Sequence, residues 1–76
     1  MENQLYQWVI YFNPIDAPGK YVVRRWACLP LPHPAGAAIA FDTLDEARRL
    51  VARAQPGLAH IERDPTDDQV IVEVWA

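Results

Sequence analysis

The chain is short of most of the materials from which catalytic and metal sites are built. It has a single cysteine, Cys28, so no internal disulfide can form. Its three glycines, Gly19, Gly36 and Gly57, stand alone and far apart, which excludes a glycine-rich phosphate loop. No Ser-centred nucleophile elbow is present. No apolar run approaches the roughly 20 residues that a bilayer-spanning helix requires. Seven Lys and Arg against ten Asp and Glu give a formal net charge of −3, which provides no electrostatic footprint for nucleic acid or for an anionic membrane. The N-terminal stretch lacks the basic, apolar, small-residue order of a signal peptide. With the lone cysteine, this predicts a cytoplasmic protein.

What is present suffices for a folded domain. Of the 76 residues 51% are hydrophobic and three are tryptophan, which argues against disorder and for one domain over residues 1–76. At this length a single core is only just adequate, and a stability of about 4 to 11 kcal/mol is expected. So thin a margin makes a second buried surface, as in a homodimer, advantageous.

The clearest element is a helix over Thr43–Ala54. At about 100° per residue Leu44, Ala47, Leu50, Val51 and Ala54 gather on one side, and Asp45, Glu46, Arg48, Arg49 and Arg53 occupy the rest. Thr43 with Glu46 three residues on forms the pattern of a capping box, and Asp45 is spaced to pair with Arg49. Gln55-Pro56-Gly57 ends the helix, because Pro56 disfavours helical geometry before it and Gly57 readily takes a positive φ.

Four strands surround it. Leu5–Phe12 and Gln69–Trp75 are rich in aromatic and β-branched residues and apolar on both faces, which suits the middle of a sheet. Tyr21–Leu29 carries Arg24 and Arg25 on opposite faces, so one arginine must lie on the helix side with its head reaching water, as at an edge. Leu58–Arg63 is the fourth, short strand. Asn13–Gly19 and Asp64–Asp68 read as loops, and the alternating Pro30, Pro32 and Pro34 as a stiff extended connector. Ile39 and Phe41 are expected to enter the core just before the helix cap.

The predicted fold is therefore a single-layer α+β domain of ββαββ type. Its four-stranded sheet has the order 2-1-4-3, the first and fourth strands parallel and one helix packed on one face. A helix about 10 Å wide covers roughly half of four strands at about 4.8 Å spacing. The opposite face would then be open, carrying Gln7, Val9, Tyr11, Ile71, Glu73 and Trp75 with one parity of the second strand.

Val22-Val23-Arg24 with Trp26, the Pro-x-Pro connector, Thr43-Leu44-Asp45-Glu46-Ala47-Arg48, and Asp67-Asp68-x-Val70-Ile71-Val72-Glu73-x-Trp75 together resemble a group of small bacterial proteins of unknown function. This resemblance covers most of the chain and implies no activity or cofactor. A weaker likeness is to HicB-type antitoxins, through Gly19-Lys20-Tyr21-Val22-Val23, Leu29-Pro30 and Asp42-Thr43-Leu44-Asp45-Glu46-Ala47. The chain departs from that pattern in having no Gly-Cys after Leu-Pro and two expected strands after the helix.

No catalytic constellation emerges. Cys28 lies on a strand and reads as a small buried hydrophobe. His33, His60 and Cys28 match no zinc spacing, and Asp64, Asp67 and Asp68 lack the ligand periodicity of a calcium loop. The chain is thus read as a non-enzyme with no metal or cofactor. What remains is binding: Tyr11, Arg24, Trp26, Ile71, Glu73 and Trp75 on an open sheet have the composition of a protein-interaction hot spot, for a protein partner or a second copy. The alternative is a single-stranded nucleic-acid-binding or HicB-like antitoxin module, with nucleic acid disfavoured by net charge and by Glu73.

Overall fold

A computed structural model describes residues 6–28, 30–61 and 70–76. In chain order the elements are β1 (Tyr6–Phe12), β2 (Tyr21–Ala27), β3 (His33–Pro34), β4 (Ile39–Phe41), α1 (Leu44–Ala54), β5 (His60–Ile61) and β6 (Ile71–Trp75). The expected turn at Asp64–Asp68 lies outside the described residues, as do Leu5, Leu29 and residues 62–63 and 69, which the sequence assigns to strand ends.

The fold is α+β with one helix, but the sheet has six strands, not four. Its order is β3-β2-β1-β6-β5, with β4 also paired to β2. Every pairing is antiparallel, including β1 with β6, where the sequence predicts a parallel pair. One extra reversal explains the change. The segment after the prolines returns along β2, pairing Tyr21 with Phe41 and Val23 with Ile39 before the helix begins. This turn of the chain inverts the direction of everything after it, so β6 runs against β1. It also places β2 inside the sheet, with β3 and β4 along its outer side, and not at the edge.

The helix forms where its capping residues require. Thr43 is extended (φ −129°, ψ 154°), and its hydroxyl accepts from the Glu46 amide at 3.2 Å. The same hydroxyl donates to the Glu46 carboxylate at 3.1 Å. At the other end the Gln55 amide donates to the Val51 carbonyl at 3.0 Å, and Gly57 takes φ +88°. Ala47 and Val51 are buried against Ile10 and Val23, with Trp8, Tyr21, Phe41, Leu44, Leu50, Leu58, Val72 and Trp75 packed around them. Ala54 is exposed, and Ile39 lies outside this core; only Phe41 of its strand contributes.

β6 contains the feature that most alters the faces of the sheet. Tyr11 pairs with Ile71, but the next residue of β1, Ile10, pairs with Glu73, so Val72 is an extra residue forming a bulge. Beyond a bulge, alternation changes sign. Glu73 and Trp75 consequently stand on the helix-covered face, opposite Ile10 and Trp8, and not on the open face that strict alternation assigns to them.

Candidate functional site

The open face is built from β1 and β2. Opposed residues of an antiparallel pair share a face, so the pairings Gln7 with Trp26, Val9 with Arg24 and Tyr11 with Val22 place all six side chains together. Val74, opposite Val9, and Ile71, opposite Tyr11, continue this face onto β6. The Trp26 indole donates to the Tyr11 hydroxyl at 3.1 Å, which fixes both rings. Beside them lies a shallow hollow of about 230 Å³, lined by Tyr11, Pro14, Asp16, Val22, Arg24, Trp26 and Val70. Val22 at its floor is buried although no helix covers it. Among the described residues neither Arg24 nor Asp16 forms an ion pair.

The structure therefore brings Tyr11, Arg24 and Trp26 together with Ile71 at their margin, and it separates Glu73 and Trp75 from them. Those two belong to a cluster between helix and sheet in which Glu73 is buried and its partners Arg48 and His60 reach solvent. Glu73, 6% exposed, accepts from the Arg48 Nε at 3.0 and 3.1 Å and from an Arg48 terminal nitrogen. The Trp75 indole adds a donor at 3.2 Å, and the His60 Nε2 stands 3.9 Å away with its ring tilted over Trp75. The Arg48 guanidinium holds the Glu73 carboxyl below the usual carboxylate range, against burial, which pushes it up; the Trp75 donor adds to the lowering. An apolar cleft of about 200 Å³ adjoins the cluster, between Val51, Leu58 and Trp75. With donors from Arg48 and Trp75 committed to it, this carboxylate is an anchor for α1 and not a poised base.

Sequence reasoning missed this pair. A signal existed in the lone charge within Val70–Trp75: a carboxylate in so apolar a strand needs a cation, and Arg48 on the helix flank is placed to supply one. Arg25 is the arginine that faces the helix side, opposite Trp8. Its guanidinium lies 4.4 Å from the Tyr6 ring centroid and 5.8 Å from that of Trp8, and its Nε donates to the Ala35 carbonyl at 3.1 Å.

Of the groups considered for chemistry, His33 pairs with Ala27 and so lies near Cys28, while His60 stands on β5 at the other edge of the sheet. Cys28 is half-buried, and His33 donates from Nδ1 to the Leu31 carbonyl at 2.7 Å. Among the described residues no group of three His, Cys, Asp or Glu could hold a metal ion, and no helix is long and apolar enough to cross a membrane. No family model, curated protein or solved structure matches the chain.

Proposed function

We propose that the protein is a non-enzymatic interaction module of the cytoplasm that binds a protein partner through the open face of its sheet. The observation that carries this is the hollow in which Trp26 and Tyr11 are locked by a hydrogen bond beside Arg24, which has no ion pair among the described residues. Trp, Tyr and Arg are the residues enriched at the centres of protein interfaces, and rings already fixed in place lose little freedom on binding. The Glu73 carboxylate offers no comparable group, because it is buried and already accepts from Arg48 and Trp75.

The test is affinity capture from lysate of the native cell, comparing the natural chain with Trp26→Ala and Arg24→Glu. The expected result is a captured protein that both substitutions lose while the fold, followed by circular dichroism, is kept. Capture of nucleic acid, abolished by nuclease and by moderate salt, would replace this reading with the single-strand one, for which stacked aromatics beside Arg24 are also suited. Turnover of a substrate that vanishes in Cys28→Ala or His60→Ala would overturn the non-enzymatic part.

A further inference from the structure

The loop between β1 and β2 presents an apolar residue to solvent in a braced geometry. Ile15 is fully exposed, at 101% of its reference area. The loop around it is held by its own bonds. Asn13 takes φ +57° and accepts at its side-chain oxygen from the Gly19 amide at 2.7 Å. The Asn13 amide donates to the Lys20 carbonyl at 2.9 Å, and the Ala17 amide to the Pro14 carbonyl at 3.0 Å. Pro14 and Pro18 further restrict the backbone. A large aliphatic side chain on a stiffened loop is a knob whose ordering cost has been met before any partner arrives.

The residues flanking that knob, Pro14 and Asp16, line the hollow of Tyr11, Val22 and Trp26. Knob and hollow are therefore side by side on one surface. So are two opposite charges, Asp16 and Arg24, neither engaged in an ion pair among the described residues. A patch that holds both a projection and its receptor, and both signs of charge, is complementary to itself under a twofold axis. Resting on the reading that the open face binds protein, we propose that its occupant is a second copy of this chain. Ile15 of each copy enters the hollow of the other, and Asp16 of each pairs with Arg24 of the other.

Sedimentation equilibrium from micromolar to near-millimolar concentration tests this. The natural chain is expected to dimerise. Ile15→Asp, a substitution at a fully exposed position that leaves the melting curve of the dilute protein unchanged, should weaken the dimer about 100-fold, because the change acts twice in a twofold interface. Asp16→Arg and Arg24→Asp should each be monomeric, since each opposes like charges across the axis. Mixing these two variants should restore a dimer, because one copy then carries arginine at both positions and the other carries aspartate at both, so each contact across the axis joins opposite charges. A natural chain that stays monomeric near millimolar concentration overturns the proposal. So does a dimer indifferent to Ile15→Asp, or a mixture that fails to associate. If a different protein is still captured through Trp26 and Arg24 in those cases, the broader reading of the open face survives and only self-pairing fails.

Discussion

The helix-covered face of the sheet carries Ile10 and Val23 together with two charged residues, Glu73 and Arg25; Glu73 is met by Arg48 and Trp75 with the His60 ring beside it, and Arg25 by the Tyr6 and Trp8 rings and the Ala35 carbonyl. The opposite face carries Val9 and Val22, also buried, together with Arg24, which has no ion pair among the described residues. Both faces are apolar at their centres. The difference lies in what surrounds the apolar centre: complete polar partnering on one side, and on the other a charge left in water beside fixed aromatic rings. Exposed apolar surface is ordinary in proteins. An unmet charge beside a tryptophan hollow is a more selective mark, and it distinguishes the face that holds the fold from the face proposed to bind another molecule.

The comparison breaks most easily at Ile10. Its side chain is wholly buried between sheet and helix, and Ile10→Ala should cost about 3 kcal/mol through lost transfer energy and the cavity left behind. Against a total of about 4 to 11 kcal/mol that is a large fraction. Trp26→Ala on the other face removes a bigger but half-exposed group and should cost only about 1 kcal/mol of monomer stability. Urea denaturation at low protein concentration measures both. Equal losses would mean that the open face is a second core, and the distinction drawn above would fall.

A second measurement sharpens the same contrast through pH. The Glu73 carboxyl is held below its ordinary value near 4.5 chiefly by Arg48, so its folded value lies under its unfolded one. The stability it contributes is therefore fully present above the unfolded value and is lost as pH falls through the folded one. In Arg48→Met the carboxylate stays buried without its main cation. That variant should be most destabilised near neutral pH, and its deficit relative to the natural chain should shrink as acid protonates Glu73. Thermal melts from pH 7 down to pH 3 check this; a deficit independent of pH would show that Arg48 acts by packing alone.

The same two faces show what can be read in the residues. The helix is legible almost to the residue, because 3.6-residue periodicity, a Thr43 cap and a Pro-Gly stop are all local signals. Tyr11 and Trp26 are legible as companions because β1 and β2 are joined by a single loop and keep strict register. The β4 strand is not. Ala35–Phe41 is small and weakly patterned, and its pairing with β2 is a choice made by the whole sheet. Nor is the bulge at Val72. The extra residue falls within Val70-Ile71-Val72, three β-branched residues in a row that suit either face, so apart from the lone charge of Glu73 nothing there announces that alternation reverses between Ile71 and Glu73. That one residue moves two of the six candidate interface residues, Glu73 and Trp75, to the face opposite the one that strict alternation assigns them.

The smallest effect gives the most direct contrast, because it compares neighbours. Arg24 and Arg25 have the same side chain, the same strand and adjacent positions, and differ in which side of the sheet they leave. Arg25 stacks on Tyr6 and Trp8 and donates to Ala35, so it joins β1 to the chain leaving β3. Arg25→Ala removes a cation–π contact worth about 0.5 to 1 kcal/mol and a charged hydrogen bond, and about 1.5 kcal/mol of monomer stability should go with them. Arg24→Ala removes a group with no such contacts among the described residues and should shift stability by less than about 0.5 kcal/mol. Binding should show the reverse order, with Arg24→Ala the more damaging. Denaturation of both variants beside the natural chain, followed by sedimentation or capture, reads the two scales together. If Arg24→Ala destabilises the dilute monomer as much as Arg25→Ala, then Arg24 supports the fold, and the open face loses the unmet charge on which its proposed role as a binding surface rests.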